Sequence, residues 1–247
     1  MKTLTTLLEL SHFPVMLSEV IQISSPKKGG LFVDCTFGGG SYSNALLDFP
    51  DTKVIGVDRD NAVISVAQKL QKKFNKRFQF HQLKFSQIDT ILKSQVDTFI
   101  FDLGLSSIQL KDFKRGFSFK SKDKLDMRMG LTDLSALEVI NNLSEKKLKL
   151  IIKILGDEKE ASKIAKNIVK ARQGKKITRV DELVEIIERS KKKNYSSKIN
   201  PSTKTFQALR IFVNKEISEL MKGITKATQL LKPGGRLIVV SFHSIED

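Results

Sequence analysis

The sequence predicts an α/β fold in which a parallel sheet is built from strands that alternate with helices. The first observation is five segments with the pattern of buried strands, at residues 31–33, 53–58, 77–85, 96–103 and 236–242. Apolar runs of this kind are typical of strands that helices cover on both faces. The second observation is a triple-glycine turn after the first strand, and the third is an aspartate that closes the second strand.

The glycine turn lies within the stretch FVDCTFGGGSYS, residues 32–43. Because glycine has no Cβ, Gly38, Gly39 and Gly40 can adopt positive φ and let a ligand approach the backbone closely. Ser41 begins a predicted helix whose free backbone N–H groups face the same spot. A strand, a glycine turn and a helix in this order predict a nucleotide-type pocket.

Asp58 is predicted to form the second half of this pocket. It ends the strand segment KVIGVD about 20 residues after the glycine turn, a position from which an acidic side chain accepts hydrogen bonds from a ribose. Ser43 replaces the third glycine of the dinucleotide pattern G-x-G-x-x-G. This replacement weakens the case for NAD and favours a nucleoside ligand without a pyrophosphate, such as S-adenosylmethionine. The alternative is a structural turn with a surface aspartate.

Three aspartates, Asp34, Asp58 and Asp102, each follow an apolar strand segment. Ligands of open α/β sheets bind outside the carboxyl ends of the strands, so we expect the three carboxylates to converge at one crevice. Three carboxylates also resemble a metal site. No cluster of His or Cys with ligand spacing lies near them, and the sequence therefore predicts no metal.

Charge and composition limit the classes of partner. The chain of 247 residues has a formal net charge of +16 and a pI near 9.8, which favours a polyanion, most simply nucleic acid. A lysine-rich genome bias is the alternative. The single cysteine, Cys35, excludes an intramolecular disulfide and is expected in the core. No apolar run reaches the ~18 residues of a membrane span, which predicts a cytoplasmic protein without a membrane partner.

The strand–helix alternation stops after Leu105. Residues 108–199 are predicted to form an inserted, mainly helical domain for substrate recognition, and residues 1–107 and 200–247 to form the α/β domain. Apolar side chains spaced three or four apart over residues 201–231 predict one long helix. His12 precedes the first predicted helix and is either structural or in contact with a ligand.

With these segments assembled, the chain resembles the RsmH/MraW family of S-adenosylmethionine-dependent N4-cytosine methyltransferases of small-subunit ribosomal RNA. Glycine turns are common, whereas RGFSF, LDMRM and FQALRIFVN are far more specific. The resemblance runs from residue 12 to the end of the chain. Its segments are HFPVMLSEV, DCTFGGGSYS, VIGVDRD, FDLGLSSIQL, RGFSF, LDMRM, TFQALRIFVN and LKPGGRLIVVSFHSIED.

The resemblance implies a class I, Rossmann-like methyltransferase fold with a helical domain inserted after the fourth strand. It also implies S-adenosylmethionine as the cofactor. The cofactor contacts that it carries onto this chain are Gly40, Ser41, Tyr42, Asp58, Phe85, Asp102 and Gln109. Family members have a seven-stranded sheet and continue past SFHSIED, so we expect that C-terminal strands are missing here and that an apolar strand edge is exposed.

The implied substrate is small-subunit ribosomal RNA or the assembling small subunit, with a homodimer left open. The cytosine N4 lone pair is delocalised into the ring, so acceptors aimed at the amino hydrogens would favour attack. Asp102 and His243 are the candidates for this catalytic role. Arg115, Asp126 and Arg128 are candidates to hold the target nucleotide; alternatively, the arginines pair with aspartates of the same loop.

Two other functions remain open from the sequence alone. One is an RNA-binding or ribosome-assembly protein that keeps the cofactor site but has lost turnover with its C-terminal strands. The other is a methyltransferase that acts on DNA or on a small molecule. The charge of +16 and the inserted segments count against the small molecule.

Overall fold

The computed structural model describes residues 15–191 and 200–242. Within them lies one five-stranded sheet with the order β3-β2-β1-β4-β5, and every neighbouring pair of strands is parallel. This confirms the predicted α/β class with a parallel sheet. The strands are β1 (Gly30–Asp34), β2 (Thr52–Asp58), β3 (Phe78–Gln82), β4 (Val96–Asp102) and β5 (Leu231–Val240).

The central strand β1 fixes the register of the sheet. Its residue Phe32 lies opposite Val54 of β2 on one side and Thr98 of β4 on the other. Phe32 and Phe99 are almost completely buried, as expected for a strand with neighbours on both sides and helices on both faces. The carboxyl ends of β1, β2 and β4, where Asp34, Asp58 and Asp102 lie, therefore meet at one edge.

Two compact units divide the chain. The first contains the described residues up to Ser107 together with Gly223–Phe242, and the second contains Ile108–Lys222. Residues 200–222 were predicted to belong to the first domain, whereas the structure groups them with the second unit. The functional domain boundaries stay a prediction.

The first unit holds the sheet and its connecting helices. Helix α3 crosses from β2 to β3, and its exposed face is rich in lysine. Short 3-10 helices complete the connections. The α-helices are α1 (Leu17–Ser24), α2 (Ser41–Leu47) and α3 (Ile64–Phe74).

The second unit is mainly helical among its described residues. Ser144 caps α6 (Glu145–Gly156) through its side-chain oxygen, which accepts from the N–H of Lys147. Gly156 is the last residue of α6 and lies against α9 (Thr203–Asn214). A side chain would not fit at this position, because a Cβ on Gly156 would lie 2.4 Å from the carbonyl oxygen of Lys204. The helices are α4 (Ser107–Lys111), which begins at the boundary, α5 (Ala136–Asn142), α6 (Glu145–Gly156), α7 (Ala161–Gly174), α8 (Val180–Ser190) and α9 (Thr203–Asn214).

The prediction of one long helix over residues 201–231 was wrong. Two helices occupy this stretch, α9 and α10 (Glu216–Leu230), and Lys215 between them has the left-handed φ of 54°. Asn214 is the last residue of α9, and its side chain bonds the backbone of Met127 and Met129 directly before the break. Across the break, the guanidinium of Arg210 donates two hydrogen bonds to the carboxylate of Glu216, each with an N–O distance of 2.9 Å.

Two strand ends also differ from the prediction. The third strand ends at Gln82, and Phe85 begins a 3-10 helix instead of closing the strand. The Pro233–Gly235 segment precedes the predicted start of the fifth strand at residue 236. It lies inside β5, where Val96 pairs with Leu231 but Thr98 pairs with Arg236, so the extra residues form an irregularity in the strand.

No helix in the described ranges is long and apolar enough to span a membrane.

Candidate functional site

The glycine turn and the end of β2 meet in the structure. The backbone N–H of Gly38 donates a hydrogen bond of 2.8 Å to Oδ2 of Asp58. The other carboxylate oxygen, Oδ1, accepts from the N–H of Asp60 at 2.9 Å. The structure therefore brings together the two features from which the sequence predicts a nucleoside pocket. Two backbone donors also fix the orientation of the Asp58 carboxylate.

The backbone of the glycine turn could not be kept by larger residues. Gly38 and Gly40 have φ of 49° and 73°, in the region that favours glycine. A Cβ on Gly40 would lie 2.8 Å from Cζ of Phe37, which is buried against Phe78 and Phe80. Gly39 differs, because its φ is ordinary and no atom lies within 4 Å of the place that its Cβ would take. The turn thus leaves open space at Gly39.

Ser41 begins α2, and Tyr42 follows it as a buried residue. The Tyr42 hydroxyl donates to the carbonyl oxygen of Val15 at 2.5 Å, which ties the N-terminal segment to this helix. Burial, together with the negative charge of Asp102 and Asp34, raises the pKa of Tyr42. The side chain is therefore a neutral phenol that anchors the segment before α1, a role that the sequence did not predict.

Asp34 is completely buried beneath the same edge of the sheet. Its Oδ2 accepts from the Ser43 hydroxyl at 2.7 Å. Burial raises the pKa of Asp34 to about 7 against the lowering effect of the Ser43 hydrogen bond, and the charges of Asp102 and Asp58 raise it further. Ser43 occupies the third glycine position of the dinucleotide pattern, and its hydrogen bond to Asp34 gives that departure a structural role.

Asp102 lies at the end of β4, where its backbone N–H donates to Oγ1 of Thr36 at 2.7 Å. Its charge acts on both Asp34 and Tyr42, which shows that the carboxylates of β1 and β4 share one region. With Asp58 they form the predicted convergence of three aspartates. Among the described residues there is no group of His, Cys, Asp and Glu side chains arranged to hold a metal ion.

Phe85, a cofactor contact implied by the family resemblance, packs against its neighbours in the first unit. Its ring meets that of Phe101 edge-on, with centroids 5.5 Å apart, and it packs over Gly223 of α10. A Cβ on Gly223 would lie 2.7 Å from Cδ2 of Phe85. The ring is half-buried, so core packing accounts for much of its surface, and a cofactor contact by Phe85 stays a prediction.

Gln109 lies in α4 of the second unit, and its side chain is buried. Its assignment to the cofactor likewise stays a prediction. His12 and His243 lie outside the residues that the structure describes.

The candidate substrate residues of the second unit form a loop with its own internal pairing. The guanidinium of Arg128 binds the carboxylate of Asp126 through two hydrogen bonds of 2.8 Å. Arg115 donates to the carbonyl oxygen of Arg128 at 2.6 Å and lies over the ring of Phe117. The expected alternative, pairing within the loop, is therefore present for Arg128. Asp126 and Arg128 are nevertheless partly exposed, at 30% and 43% of their side-chain surface.

Asn214 supports this loop and is not among the residues predicted from the sequence. Asn214 is fully buried, accepts from the N–H of Met129 at 2.8 Å and donates to the carbonyl oxygen of Met127 at the same distance. Met127 between these bonds is buried and has a φ of 61°, rare for a residue with a Cβ. A polar residue inside the apolar stripe of TFQALRIFVN was the available sign, since buried amides are placed where their hydrogen bonds are satisfied.

Comparisons with known proteins identify the family of this chain. The family model described as the MraW methylase family matches residues 9–247. The ribosomal RNA small subunit methyltransferase H of Maricaulis maris is 45% identical over 240 residues, which cover 96% of this chain and 72% of that protein. The proteins of the same name from Ehrlichia ruminantium and Neorickettsia sennetsu are also 45% identical. They cover 96% and 97% of this chain, and 80% and 81% of their own lengths.

Membership of a methylase family implies S-adenosylmethionine as the methyl donor. The residues present fit this group, because the backbone at Gly39 is open to a ligand and the Asp58 carboxylate keeps acceptor capacity beyond its two backbone donors. The family model spans nearly the whole chain, and the relatives match it over almost its full length. The chain therefore belongs to the MraW methylase family.

Proposed function

We propose that this protein transfers a methyl group from S-adenosylmethionine to the N4 amino group of a cytosine in small-subunit, 16S-type ribosomal RNA. The observation that carries the proposal is the identity of 45% across 96% of the chain to proteins named ribosomal RNA small subunit methyltransferase H. The cytosine-N4 specificity follows from the resemblance of RGFSF, LDMRM and FQALRIFVN to the family pattern. We further propose that the enzyme is cytoplasmic.

The first unit would supply most of the cofactor contacts. Asp58 would accept from the ribose hydroxyls, since its carboxylate is held in place by Gly38 and Asp60. The glycine turn from Gly38 to Ser41 would admit the ligand at the open backbone of Gly39. When bound, S-adenosylmethionine supplies an activated methyl group on a sulfonium, so the protein's contribution is to position the nucleophile and its charge.

Asp102 is our candidate for the acceptor that faces the cytosine amino group. It ends β4 at the edge where the carboxylates of Asp34 and Asp58 also lie. An acceptor at one amino hydrogen would favour the form of N4 whose lone pair is free to attack. His243 remains a second candidate on the grounds of sequence alone. Tyr42, Phe85 and Gln109 complete the proposed cofactor set.

The second unit would contact the RNA, as we predict for residues 108–199. Arg128 and Arg115 present guanidinium groups on one loop, and Asp126 occupies the fork of Arg128 in the structure. A phosphate of the RNA would compete with Asp126 for this fork, because guanidinium binds both anions in the same bidentate geometry. The target cytosine would have to leave its stack to reach the methyl donor.

Methyl transfer from radiolabelled S-adenosylmethionine tests the proposal. The protein is incubated with purified small subunits and, separately, with free small-subunit RNA, and the RNA is digested to nucleosides. We expect label in N4-methylcytidine from at least one of the two substrates. Label in another base, or only in protein, would overturn the proposal. Calorimetric binding of the cofactor without transfer to either substrate would instead favour an RNA-binding or assembly protein that lacks turnover.

A further inference from the structure

Helix α7 exposes a row of lysines along one face. Lys163, Lys166 and Lys170 are all exposed, and their spacing of three and four residues places them on one side of the helix. The opposite side is buried through Ile164 and Ile168. We call Lys163, Lys166 and Lys170 the basic ridge. With a rise of 1.5 Å per residue, the ridge is about 10 Å long.

The ridge is unfavourable for the isolated helix. Like charges three or four residues apart destabilise a helix by roughly 0.2–0.5 kcal/mol per pair, and Lys163–Lys166 and Lys166–Lys170 are two such pairs. No described carboxylate forms an ion pair with any of the three ammonium groups. An anion from outside the chain would remove this repulsion.

Basic and acidic residues are unevenly distributed over three packed helices of the second unit, which argues against a uniform lysine bias. Helix α6, which packs against α7, repeats the spacing with exposed lysines at 146, 149 and 153. Helix α8 also packs against α7 but exposes Glu185 and Glu188 together with Arg189. Among these three packed helices, α6 and α7 therefore carry net positive charge and α8 carries net negative charge.

We infer that the basic ridge is a docking surface for the phosphodiester backbone of RNA. Lysine ammonium groups are point charges without the bidentate geometry of arginine, so they suit phosphates and read no bases. The ridge would anchor the RNA independently of its sequence, and the loop of Arg115 and Arg128 would select the nucleotide. Identification of the RNA as ribosomal rests on the proposed function; the phosphate chemistry of the ridge does not.

The test compares two triple variants that remove the same charge. K163Q/K166Q/K170Q neutralises the ridge, and K69Q/K72Q/K76Q neutralises exposed lysines of the same spacing on and just after α3 of the first unit. Affinity of the full chain for small-subunit ribosomal RNA is measured by filter binding between 50 and 200 mM salt, as this range resolves counterion release well. Thermal melting and calorimetry with S-adenosylmethionine check the fold and the first unit.

For the ridge variant we expect a decrease in RNA affinity at 100 mM salt and a salt slope smaller in magnitude by about 2–3, since each lost phosphate contact removes roughly 0.7–0.9. The α3 variant should keep more of the wild-type affinity and slope. Melting of the ridge variant should be unchanged or slightly higher, because the like-charge pairs are gone, and cofactor binding should be unchanged. Equal losses of RNA affinity in the two variants would overturn the inference. They would show that the total positive charge of the protein, and not the basic ridge, determines RNA binding.

The outcome for the ridge is separable from that for the proposed function. An unchanged affinity and slope in the ridge variant would overturn the ridge even if the wild type methylates ribosomal RNA. A reduced slope with both ribosomal RNA and an unrelated structured RNA would support the ridge even if no methyl transfer is found. If the ridge variant lost binding to polyglutamate but kept its binding to RNA, the surface would be assigned to an acidic protein partner. That result would also overturn the inference.

Discussion

The backbone N–H of Gly38 donates to Oδ2 of Asp58 at 2.8 Å, across 20 residues of sequence. This bond joins the turn after β1 to the end of β2, two strands that lie side by side in the sheet. This hydrogen bond orients the Asp58 carboxylate beside the glycine turn before any ligand binds. A hydroxyl that reaches Asp58 therefore meets an acceptor whose orientation is already fixed, which reduces the entropic cost of binding.

Asp58→Ala is expected to weaken S-adenosylmethionine binding by about 1–3 kcal/mol, the range for a lost hydrogen bond to a charged group. Isothermal titration calorimetry at pH 8 measures the change, and Asp51→Ala, at an exposed turn position, is the matched control. Asp58→Asn should give a smaller loss, because its carbonyl oxygen still accepts one hydrogen bond. An Asp58→Ala variant with wild-type affinity would remove Asp58 from the ribose role.

Two glycine substitutions distinguish the role of the turn in the stability of the fold from its role in ligand binding. Gly40→Ala introduces a Cβ 2.8 Å from Phe37 at a φ of 73°, so we expect it to lower the free energy of unfolding by about 1–3 kcal/mol. Gly39→Ala meets open space at ordinary φ and should leave stability within about 0.5 kcal/mol. If the ligand approaches the backbone here, Gly39→Ala should nevertheless reduce cofactor affinity at least tenfold.

Urea unfolding and cofactor titration of both variants decide this prediction. Full cofactor affinity in Gly39→Ala would show that the ligand does not approach the turn at that residue. A large loss of stability in Gly39→Ala would contradict the open space seen there.

The sheet and its carboxyl edge were predictable because local pattern and topology both determine them. Continuous apolar strands followed by Asp34, Asp58 and Asp102 leave few alternatives once parallel pairing is assumed. The break at Lys215 was not predictable in this way. The apolar stripe continues through it, so the local pattern gives no sign of the left-handed φ of 54° at Lys215.

The site was predictable to the level of the turn and its carboxylate but not to that of the supporting contacts. Ser43 was identified as a departure from the glycine pattern, yet its bond to Asp34 depends on the burial of both side chains. The link from Tyr42 to Val15 and the packing of Phe85 on Phe101 likewise depend on tertiary neighbours that no local pattern reveals.

Asp34 is expected to make the stability of the protein depend on pH. Burial raises its pKa to about 7 in the folded state, whereas an aspartate in the unfolded chain titrates near 3.9. Between these values the folded protein holds a proton that the unfolded chain releases. The free energy of unfolding should therefore decrease as the pH rises from about 4 to about 7, by at most about 4 kcal/mol from this group.

Asp34→Asn isolates this contribution, because the amide does not ionise and its oxygen can still accept from Ser43. Urea unfolding from pH 4 to pH 8 should show a flatter decrease for Asp34→Asn than for the wild type or for Asp51→Asn. Glu182 does not confuse the comparison. Hydrogen bonds from Lys175 and Thr178 lower its pKa to about 2, so its contribution changes below about pH 4.5. Parallel curves for wild type and Asp34→Asn would refute the assignment.

Asn214 is expected to stabilise the second unit through the loop that carries Asp126 and Arg128. Asn214→Ala removes a buried amide that accepts from Met129 and donates to Met127, leaving both backbone groups buried without that partner. Unsatisfied buried groups cost roughly 1–3 kcal/mol each, so we expect a loss of about 2–6 kcal/mol in the free energy of unfolding. Asn142→Ala, at an exposed helix end, should change it by less than about 0.5 kcal/mol.

Asn214→Asp distinguishes the two hydrogen bonds. Its carboxylate can still accept from the N–H of Met129 but faces the carbonyl oxygens of Met127 and Arg210 without a donor, so we expect no rescue relative to alanine. Hydrogen exchange of the Met129 amide reports the loop directly and should be faster in both variants. Wild-type stability and wild-type exchange at Met129 in Asn214→Ala would show that the left-handed Met127 is held by other contacts.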